Sequence, residues 1–218
     1  FEGAMGHVDK VAAQRGFQVY KEVCAACHSL NRVAFRNLTE LGFSEAEVKA
    51  LAASYTVSDG PNDEGEMFER AGRASDKLPS PFLNEQQGRS LNNGAYPPDL
   101  SLMVKARHDG GNYIYSLLTG YEDAPKGMEM LEGQHYNPYM AGGKIAMAEP
   151  LSDDQITYMD GTKATKEQMA KDVVNFLQWA SEPEMERRKT MGLKVLPFLA
   201  VMTIVMYLVK RKVWKDLH

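Results

Sequence analysis

The chain has 218 residues, of which 44% are hydrophobic and 25% are charged, and this apolar fraction supports a buried core and excludes global disorder. Its formal net charge of −4 is unevenly spread, since residues 1–186 carry 17 basic and 28 acidic residues while residues 187–218 carry 8 basic residues and one acidic residue. No basic stripe lies in the larger, acidic part, which argues against nucleic acid as a ligand.

The first predicted element is a helix over 8–30, where apolar residues recur at helical spacing up to a pair of cysteines. Gly16 weakens this pattern. A second, short helix is predicted over 44–54, because Ser44 and Glu47 have the spacing of a capping box.

Residues 59–165 are rich in turn-forming residues and contain 13 of the 18 glycines and 8 of the 10 prolines. One helix is predicted over about 99–119, with a break at 108–111. We expect the rest of this region to form loops wrapped around a group that they cannot bury by themselves.

A further helix is predicted over 166–181, where one apolar stripe repeats at helical spacing. Thr165 and Gln168 have the spacing of a capping box at its start, and Pro183 ends it.

The last predicted element is a helix over about 191–209 with one charged residue, Lys194. As an α-helix it would span roughly 28 Å, close to the thickness of a bilayer core. We place Pro197 in its first turns, where the missing N–H costs little. The alternative is a buried core helix, but basic clusters at both ends favour a membrane anchor. The chain is therefore predicted to comprise a head (1–186) and an anchor with a short tail (187–218).

The only two cysteines, Cys24 and Cys27, precede His28 in a C-x-x-C-H motif, which is typical of covalent c-type haem attachment. At this spacing two thiols can reach the two vinyl groups of one porphyrin, and the next residue can place its imidazole at the iron. A thioredoxin-like site would require a βαβ surround, and a zinc site would require two more soft ligands. Neither is present in the sequence.

The sixth iron ligand stays open at this point, because thirteen methionines compete for the role. Met147 and Met140 fit best, since both lie far downstream among turn residues. His108 and His135 are the histidine alternatives, and an open site would indicate ligand chemistry instead of electron transfer.

Beyond the haem motif, the chain contains a series of segments that resemble the cytochrome c1 family, and its bacterial members in particular. Members of this family are the haem subunits of cytochrome bc1 complexes, which are ubiquinol–cytochrome c reductases. The resemblance covers nearly the whole chain in the same order. The matching segments are 91–101, 105–108, 113–121, 136–139, 145–148, 160–162, 179–183, 187–189 and 191–194.

The resemblance implies a mainly α, c-type cytochrome fold with long loop insertions around one covalently bound haem c, plus a single C-terminal transmembrane helix. It implies that Met147 is the axial methionine opposite His28. It also implies that Arg107 and Tyr113 lie near the haem propionates, where a guanidinium would make a charge-assisted hydrogen bond. The remaining cofactor-binding residues that it implies are Asn92, Pro97 and Pro98. Some bacterial members carry an extra cysteine pair that stiffens the methionine loop, and its absence here leaves packing to hold Met147.

The resemblance further implies one-electron transfer from a Rieske iron–sulfur protein to a soluble or membrane-anchored cytochrome c. The chain itself would be a carrier, and enzymatic only as a subunit of a complex in which cytochrome b and the Rieske protein oxidise ubiquinol. Two alternatives remain. One is an anchored cytochrome that feeds a terminal oxidase, and the other is a haem peroxidase-like enzyme with an open sixth site.

The distribution of basic residues leaves the orientation in the membrane ambiguous. Thioether-linked haem is assembled on the outer face of the bacterial inner membrane. We therefore expect a periplasmic head and a cytoplasmic C-terminus.

An acidic run without basic residues is the predicted docking surface for a basic cytochrome c, which complementary charge would steer. A solvated face is the simpler interpretation of such a run. Its members are Asp59, Asp63, Glu64, Glu66 and Glu69.

Overall fold

The computed structural model describes residues 1, 3 and 5–215. The chain divides into two compact units, one formed by Asp9–Glu182 and the other by Phe1–Val8 with Pro183–His218. The predicted boundary between head and anchor at residue 186 stays a prediction.

The described residues are mainly helical, with little strand, as the sequence predicts. The helices in chain order are α1 (Lys10–Glu22), α2 (Glu45–Ala53), α3 (Glu85–Leu91), α4 (Gly110–Thr119), α5 (Lys166–Ser181) and α6 (Met185–Trp214). Short 3₁₀ helices span Cys24–Ala26 and Phe35–Leu41. Two antiparallel hairpins pair β1 (Thr56–Asp59) with β2 (Phe68–Ala71) and β3 (His135–Tyr136) with β4 (Lys144–Ile145).

Helix α1 is shorter than the helix predicted over 8–30. It starts at the Asp9 cap, whose carboxylate accepts hydrogen bonds from the backbone N–H groups of Val11 and Ala12. At the Val23 cap the N–H still donates to the Val19 carbonyl oxygen, at 2.9 Å, and the chain then tightens into the 3₁₀ turn that begins at Cys24.

The core of the larger unit lies between α1 and α5, which pack closely at Gly16. A Cβ atom at this position would lie 1.9 Å from the Asp172 carbonyl oxygen, so only glycine allows the approach. Gly16 is unfavourable for an isolated helix, but it makes the helix pairing possible. Around this point Phe17, Tyr20 and Phe176 form a buried aromatic cluster.

Two of the predicted helix starts are found, with one difference. The Ser44 capping box at α2 forms in full. Thr165 caps α5 by accepting a hydrogen bond from the Gln168 N–H, at 3.2 Å. The Gln168 side chain does not reach back to the cap, because its amide donates to the Asp172 carboxylate at 3.1 Å.

The helix predicted over 99–119 is wrong in its first half, since residues 101–109 form turns and bends and only α4 is helical. The Asp99 carboxylate accepts a hydrogen bond from the Ser101 N–H, which stabilises a turn. Asp109 adopts left-handed geometry (φ +60°) immediately before α4. The glycine pair at 110–111 therefore begins a helix instead of breaking one.

Helix α6 contains the predicted segment 191–209 and is long and apolar enough to cross a membrane, with its most apolar stretch fully exposed. Its 30 residues correspond to about 45 Å. Pro197 lies well inside this helix and not in its first turns as predicted, because the helix already begins at Met185. In the same unit the Lys189 ammonium group donates to the carbonyl oxygens of Phe1 and Gly6, at 2.6 and 2.9 Å.

Candidate haem site

The three residues of the C-x-x-C-H motif lie on one tight turn after α1. The N–H groups of Cys27 and His28 both donate to the Cys24 carbonyl oxygen, at 3.1 and 2.8 Å. Both cysteines are free thiols, Cys24 half-buried and Cys27 exposed. The turn therefore presents two thiols and an imidazole from one short stretch of chain.

The Cys24 thiol differs from the thiol of a redox-active C-x-x-C site. Burial raises the pKa of Cys24 to about 12, and the nearby Cys27 adds to this shift. Redox-active cysteines have lowered pKa values because the thiolate is the nucleophile. The local environment thus disfavours the thioredoxin-like interpretation.

The His28 imidazole has a fixed orientation. Its Nδ1 lies 2.8 Å from the Pro98 carbonyl oxygen, so the Nδ1–H donates this hydrogen bond and Nε2 keeps its lone pair for a metal. Burial lowers the pKa of His28, although the Pro98 carbonyl and Asp99 oppose the shift. At neutral pH the ring is therefore neutral, which is the form that binds iron.

Asp99 connects the segment after the motif to the segment that contains Pro98. Its carboxylate accepts hydrogen bonds from the Ser29 hydroxyl, the Asn31 N–H and the Ser101 N–H, at 2.8, 2.8 and 2.9 Å. Burial opposes ionisation, but these hydrogen bonds outweigh it and hold the pKa of Asp99 below its usual range. A backbone hydrogen bond of 2.9 Å from Leu100 to Ser29 completes the connection. Together these bonds place the Pro98 carbonyl beside His28.

Met147 is half-buried in the loop after β4. The Tyr121 hydroxyl, just beyond the end of α4, donates to the Met147 carbonyl oxygen at 3.0 Å. Burial, with the charge of Glu149 as a second cause, raises the pKa of Tyr121. The phenol thus remains a donor across the physiological pH range.

The second methionine candidate, Met140, has a different environment. The Tyr113 hydroxyl lies 3.8 Å from the Met140 sulfur. Within residues 5–215 the Met147 sulfur accepts no such hydrogen bond. The thioether of Met147 is therefore the one that keeps its lone pairs for another partner.

The other predicted cofactor residues lie on separate elements. Arg107 is exposed, and its guanidinium donates to the Ala106 carbonyl oxygen at 3.1 Å. Asn92 ends α3, where its amide donates to the Gly88 carbonyl oxygen at 2.7 Å. Pro97 is half-buried next to the exposed Pro98. Among the described residues no hydrogen bond or ion pair joins Met147 or Arg107 directly to His28.

The histidine alternatives are both on the surface. The His108 imidazole is fully exposed, and His135 is exposed at the start of β3. Neither position holds an imidazole in the way that the Pro98 carbonyl holds His28.

The acidic run spans the loop of the β1–β2 hairpin, from the last residue of β1 to the second residue of β2. Asp59 is ion-paired with Arg70, which also binds Asp76 at 2.6 Å. The other four carboxylates of the run are exposed. Four of the carboxylates thus face solvent, and the fifth is paired with an arginine that it shares with Asp76.

Sequence reasoning missed three residues that organise this site: Asp99, Tyr121 and Asn137. The fully buried Asn137 amide donates to the Leu117 carbonyl oxygen of α4 at 2.8 Å. An Asp two residues before a Ser was a usable turn signal for Asp99. Tyr121 and Asn137 act on residues 26 and 20 positions away, so no local pattern identifies them.

The donor set fits a c-type haem. Two neighbouring thiols can form thioethers, and a neutral imidazole with a fixed Nδ1–H offers Nε2 to iron. A methionine sulfur without a hydrogen-bond partner in the described part of the chain is available as a second axial ligand.

Comparison with known proteins agrees with this chemistry. The model of the Cytochrome C1 family matches residues 1–217. "Cytochrome c1 2, heme protein, mitochondrial" of Arabidopsis thaliana is 52% identical over 216 residues, which cover 99% of this chain and 70% of the relative. "Cytochrome c1" of Rhodospirillum rubrum is 50% identical over 232 residues (99% and 85%).

A third relative, from Candida albicans, carries the name "Cytochrome b-c1 complex catalytic subunit, mitochondrial". It is 54% identical over 207 residues, which cover 94% of this chain and 72% of the relative. With a family model matched over nearly its whole length and relatives at about half identity, the chain belongs to the Cytochrome C1 family.

Proposed function

We propose that this chain is the haem-carrying electron-transfer subunit of a cytochrome bc1 complex. It accepts single electrons from a Rieske iron–sulfur protein and passes them to a soluble or membrane-anchored cytochrome c. The observation that carries the proposal is the 2.8 Å contact between His28 Nδ1 and the Pro98 carbonyl, beside two thiols on the same turn. Family membership and the name of the Candida albicans relative support the assignment to the complex.

One haem c is attached through Cys24 and Cys27, with His28 and Met147 as its axial ligands. When bound, the haem iron supplies a one-electron redox couple, and a methionine ligand raises its potential relative to a second histidine. The chain holds the imidazole in one tautomer and orientation, and it contributes no residue that makes or breaks substrate bonds. It is enzymatic only as a subunit of a quinol–cytochrome c reductase.

Met147 is preferred to Met140 as the axial ligand because of the hydrogen-bonding state of each sulfur. The Met140 sulfur faces the Tyr113 hydroxyl, whereas within the described residues the Met147 sulfur has no donor. Asn92, Pro97 and Pro98 contribute to the haem edge, and Arg107 and Tyr113 lie near the propionates. The exposed Arg107 guanidinium has no carboxylate partner in the described part of the chain, which leaves it available for a propionate.

The chain is anchored by α6 in the bacterial inner membrane, beside cytochrome b. The head, residues 1–186, is periplasmic, and the anchor, residues 187–218, ends in the cytoplasm. The length and exposed apolar surface of α6 support the anchor, and the site of thioether assembly supports the orientation.

The acidic hairpin steers a basic cytochrome c toward the head through Asp63, Glu64, Glu66 and Glu69. Asp59 contributes less, because Arg70 compensates its charge. Steering of this kind weakens as salt screens the charges.

The test uses the purified complex with Met147→Leu, and Met140→Leu as the matched control. We expect Met147→Leu to abolish the methionine–iron charge-transfer band and to lower the haem potential by on the order of 0.1 V. Ubiquinol-driven reduction of added cytochrome c should then stall, whereas Met140→Leu keeps the band and the turnover. Loss of the band in Met140→Leu alone would transfer the ligand role to Met140. A haem that is neither reduced by ubiquinol nor oxidised by cytochrome c would refute the function.

A further inference from the structure

We propose that Tyr121 is the positioning residue for the axial sulfur of Met147. This inference rests on the proposed ligand role of Met147 and deepens it. The Tyr121 hydroxyl donates to the main-chain carbonyl of Met147 at 3.0 Å, so it restrains the backbone from which the sulfur projects.

The loop that carries Met147 has few other polar restraints. The preceding hairpin pairs only two residues on each strand, and Gly142 and Gly143 in its connecting loop both adopt left-handed geometry. Among the described residues, the backbone of 146–150 makes no hydrogen bond except the one from Tyr121. The remaining polar contact of this segment is the partly exposed ion pair between Glu149 and Lys166.

The C-terminal end of α4 is a stable base for this restraint. Ile114 and Leu118 bury the inner face of the helix, at 5% and 9% exposure. The buried Asn137 ties the preceding loop to the same helix end, through Leu117. Tyr121 follows α4 by two residues and extends the connection to Met147. Asn137 and Tyr121 therefore fasten the segments before and after β4 to the same end of α4.

This arrangement provides a restraint where no covalent cross-link is available. The chain has only two cysteines, and both belong to the C-x-x-C-H motif. When the hydrogen bond is lost, the loop opens more often and the iron is more often free to bind another ligand. One hydrogen bond of ordinary strength corresponds to a change of about 3- to 10-fold in that opening equilibrium.

The experiment compares Tyr121→Phe with Tyr139→Phe in the full-length protein within its complex. Tyr139→Phe is the matched control, because it removes a phenol from the loop before β4 whose hydroxyl makes no hydrogen bond among the described residues. Imidazole is titrated into the oxidised protein, and loss of the methionine–iron band measures displacement of the sulfur. We expect the apparent affinity for imidazole to rise about 3- to 10-fold in Tyr121→Phe and to stay unchanged in Tyr139→Phe.

A second measurement follows the loop without reference to the iron. Amide hydrogen exchange of the paired β4 residues, Lys144 and Ile145, should become faster in Tyr121→Phe by a similar factor, while exchange of α1 stays unchanged. Faster exchange in α1 as well would indicate general unfolding and overturn the positioning role. Equal imidazole affinities in Tyr121→Phe and Tyr139→Phe would also overturn it.

Failure of the ligand assignment gives a different result. If Met147→Leu keeps the methionine–iron band, Met147 is not the ligand, and both the assignment and this inference fall. If Met147→Leu loses the band while Tyr121→Phe behaves as the control, the ligand role stands and only the role of Tyr121 is refuted.

Discussion

The two segments that supply the proposed axial ligands are held in different ways. The His28 segment is joined to residues 98–101 by five short hydrogen bonds, two of which end on the Asp99 carboxylate. The Met147 segment is held by one hydrogen bond from Tyr121, a short hairpin and a partly exposed ion pair.

The difference indicates that the two proposed ligands are held by different parts of the fold. The core helices hold His28, and a loop holds Met147. His28 follows directly from α1, and α1 packs on α5 through the core of the larger unit. Opening of the His28 segment should therefore approach global unfolding, whereas the Met147 loop should open locally at lower cost. Three substitutions sharpen or break this comparison.

Asp172→Ala should destabilise the protein most, because it weakens the packing of α5 against α1, the helix that precedes His28. Asp172 is 1% exposed and binds two nitrogens of Arg15 at 2.9 and 3.0 Å, which links α5 to α1. Removing one partner of a buried ion pair costs roughly 3–5 kcal/mol of the free energy of unfolding. We expect a thermal midpoint lower by roughly 10 °C, measured by circular dichroism.

The control for this variant is Asp160→Ala, which removes the other carboxylate bound by Arg15. Asp160 is 42% exposed, so its loss should cost at most about 1 kcal/mol. If Asp160→Ala lowered the thermal midpoint as much as Asp172→Ala, burial of the Arg15–Asp172 ion pair would not explain its contribution to stability.

Asp99→Ala should have an intermediate effect that is confined to the His28 side. It removes three hydrogen bonds to a carboxylate, and we expect a loss of about 2–3 kcal/mol in the free energy of unfolding. Chemical denaturation followed by the haem absorbance measures it. The exposed Asp63→Ala should stay within about 0.5 kcal/mol of the native protein. If Asp99→Ala were equally neutral, the His28 segment would be no better anchored than the Met147 segment.

Lys166→Gln should have the smallest effect, because it breaks only the ion pair on the Met147 side. The side chains of Lys166 and Glu149 are 20% and 46% exposed, and pairs of this kind contribute about 1 kcal/mol or less. We expect a small decrease in thermal midpoint that disappears in high salt, with Lys163→Gln as the exposed control. A decrease as large as that of Asp99→Ala would mean that the two sides are equally well anchored.

Local signals were sufficient where a few neighbouring residues decide the structure. The Ser44–Glu47 pair predicted a helix start that forms as expected, and the apolar run before Lys210 predicted a helix that could span a membrane. Local signals failed over 99–109, where apolar spacing suggested a helix. There the Leu100 N–H is taken by Ser29, 71 positions away.

By itself the sequence predicted a c-type haem site, the family and the C-terminal helix, because each of these depends on short runs of neighbouring residues. The spacing of Cys24, Cys27 and His28 and the length of the apolar run are such local properties. Only the tertiary structure decided why Gly16 is required, which carbonyl orients His28, and how Tyr121 reaches Met147. These contacts join residues that lie 26 to 156 positions apart, so they arise from packing between elements and leave no periodic pattern in the chain.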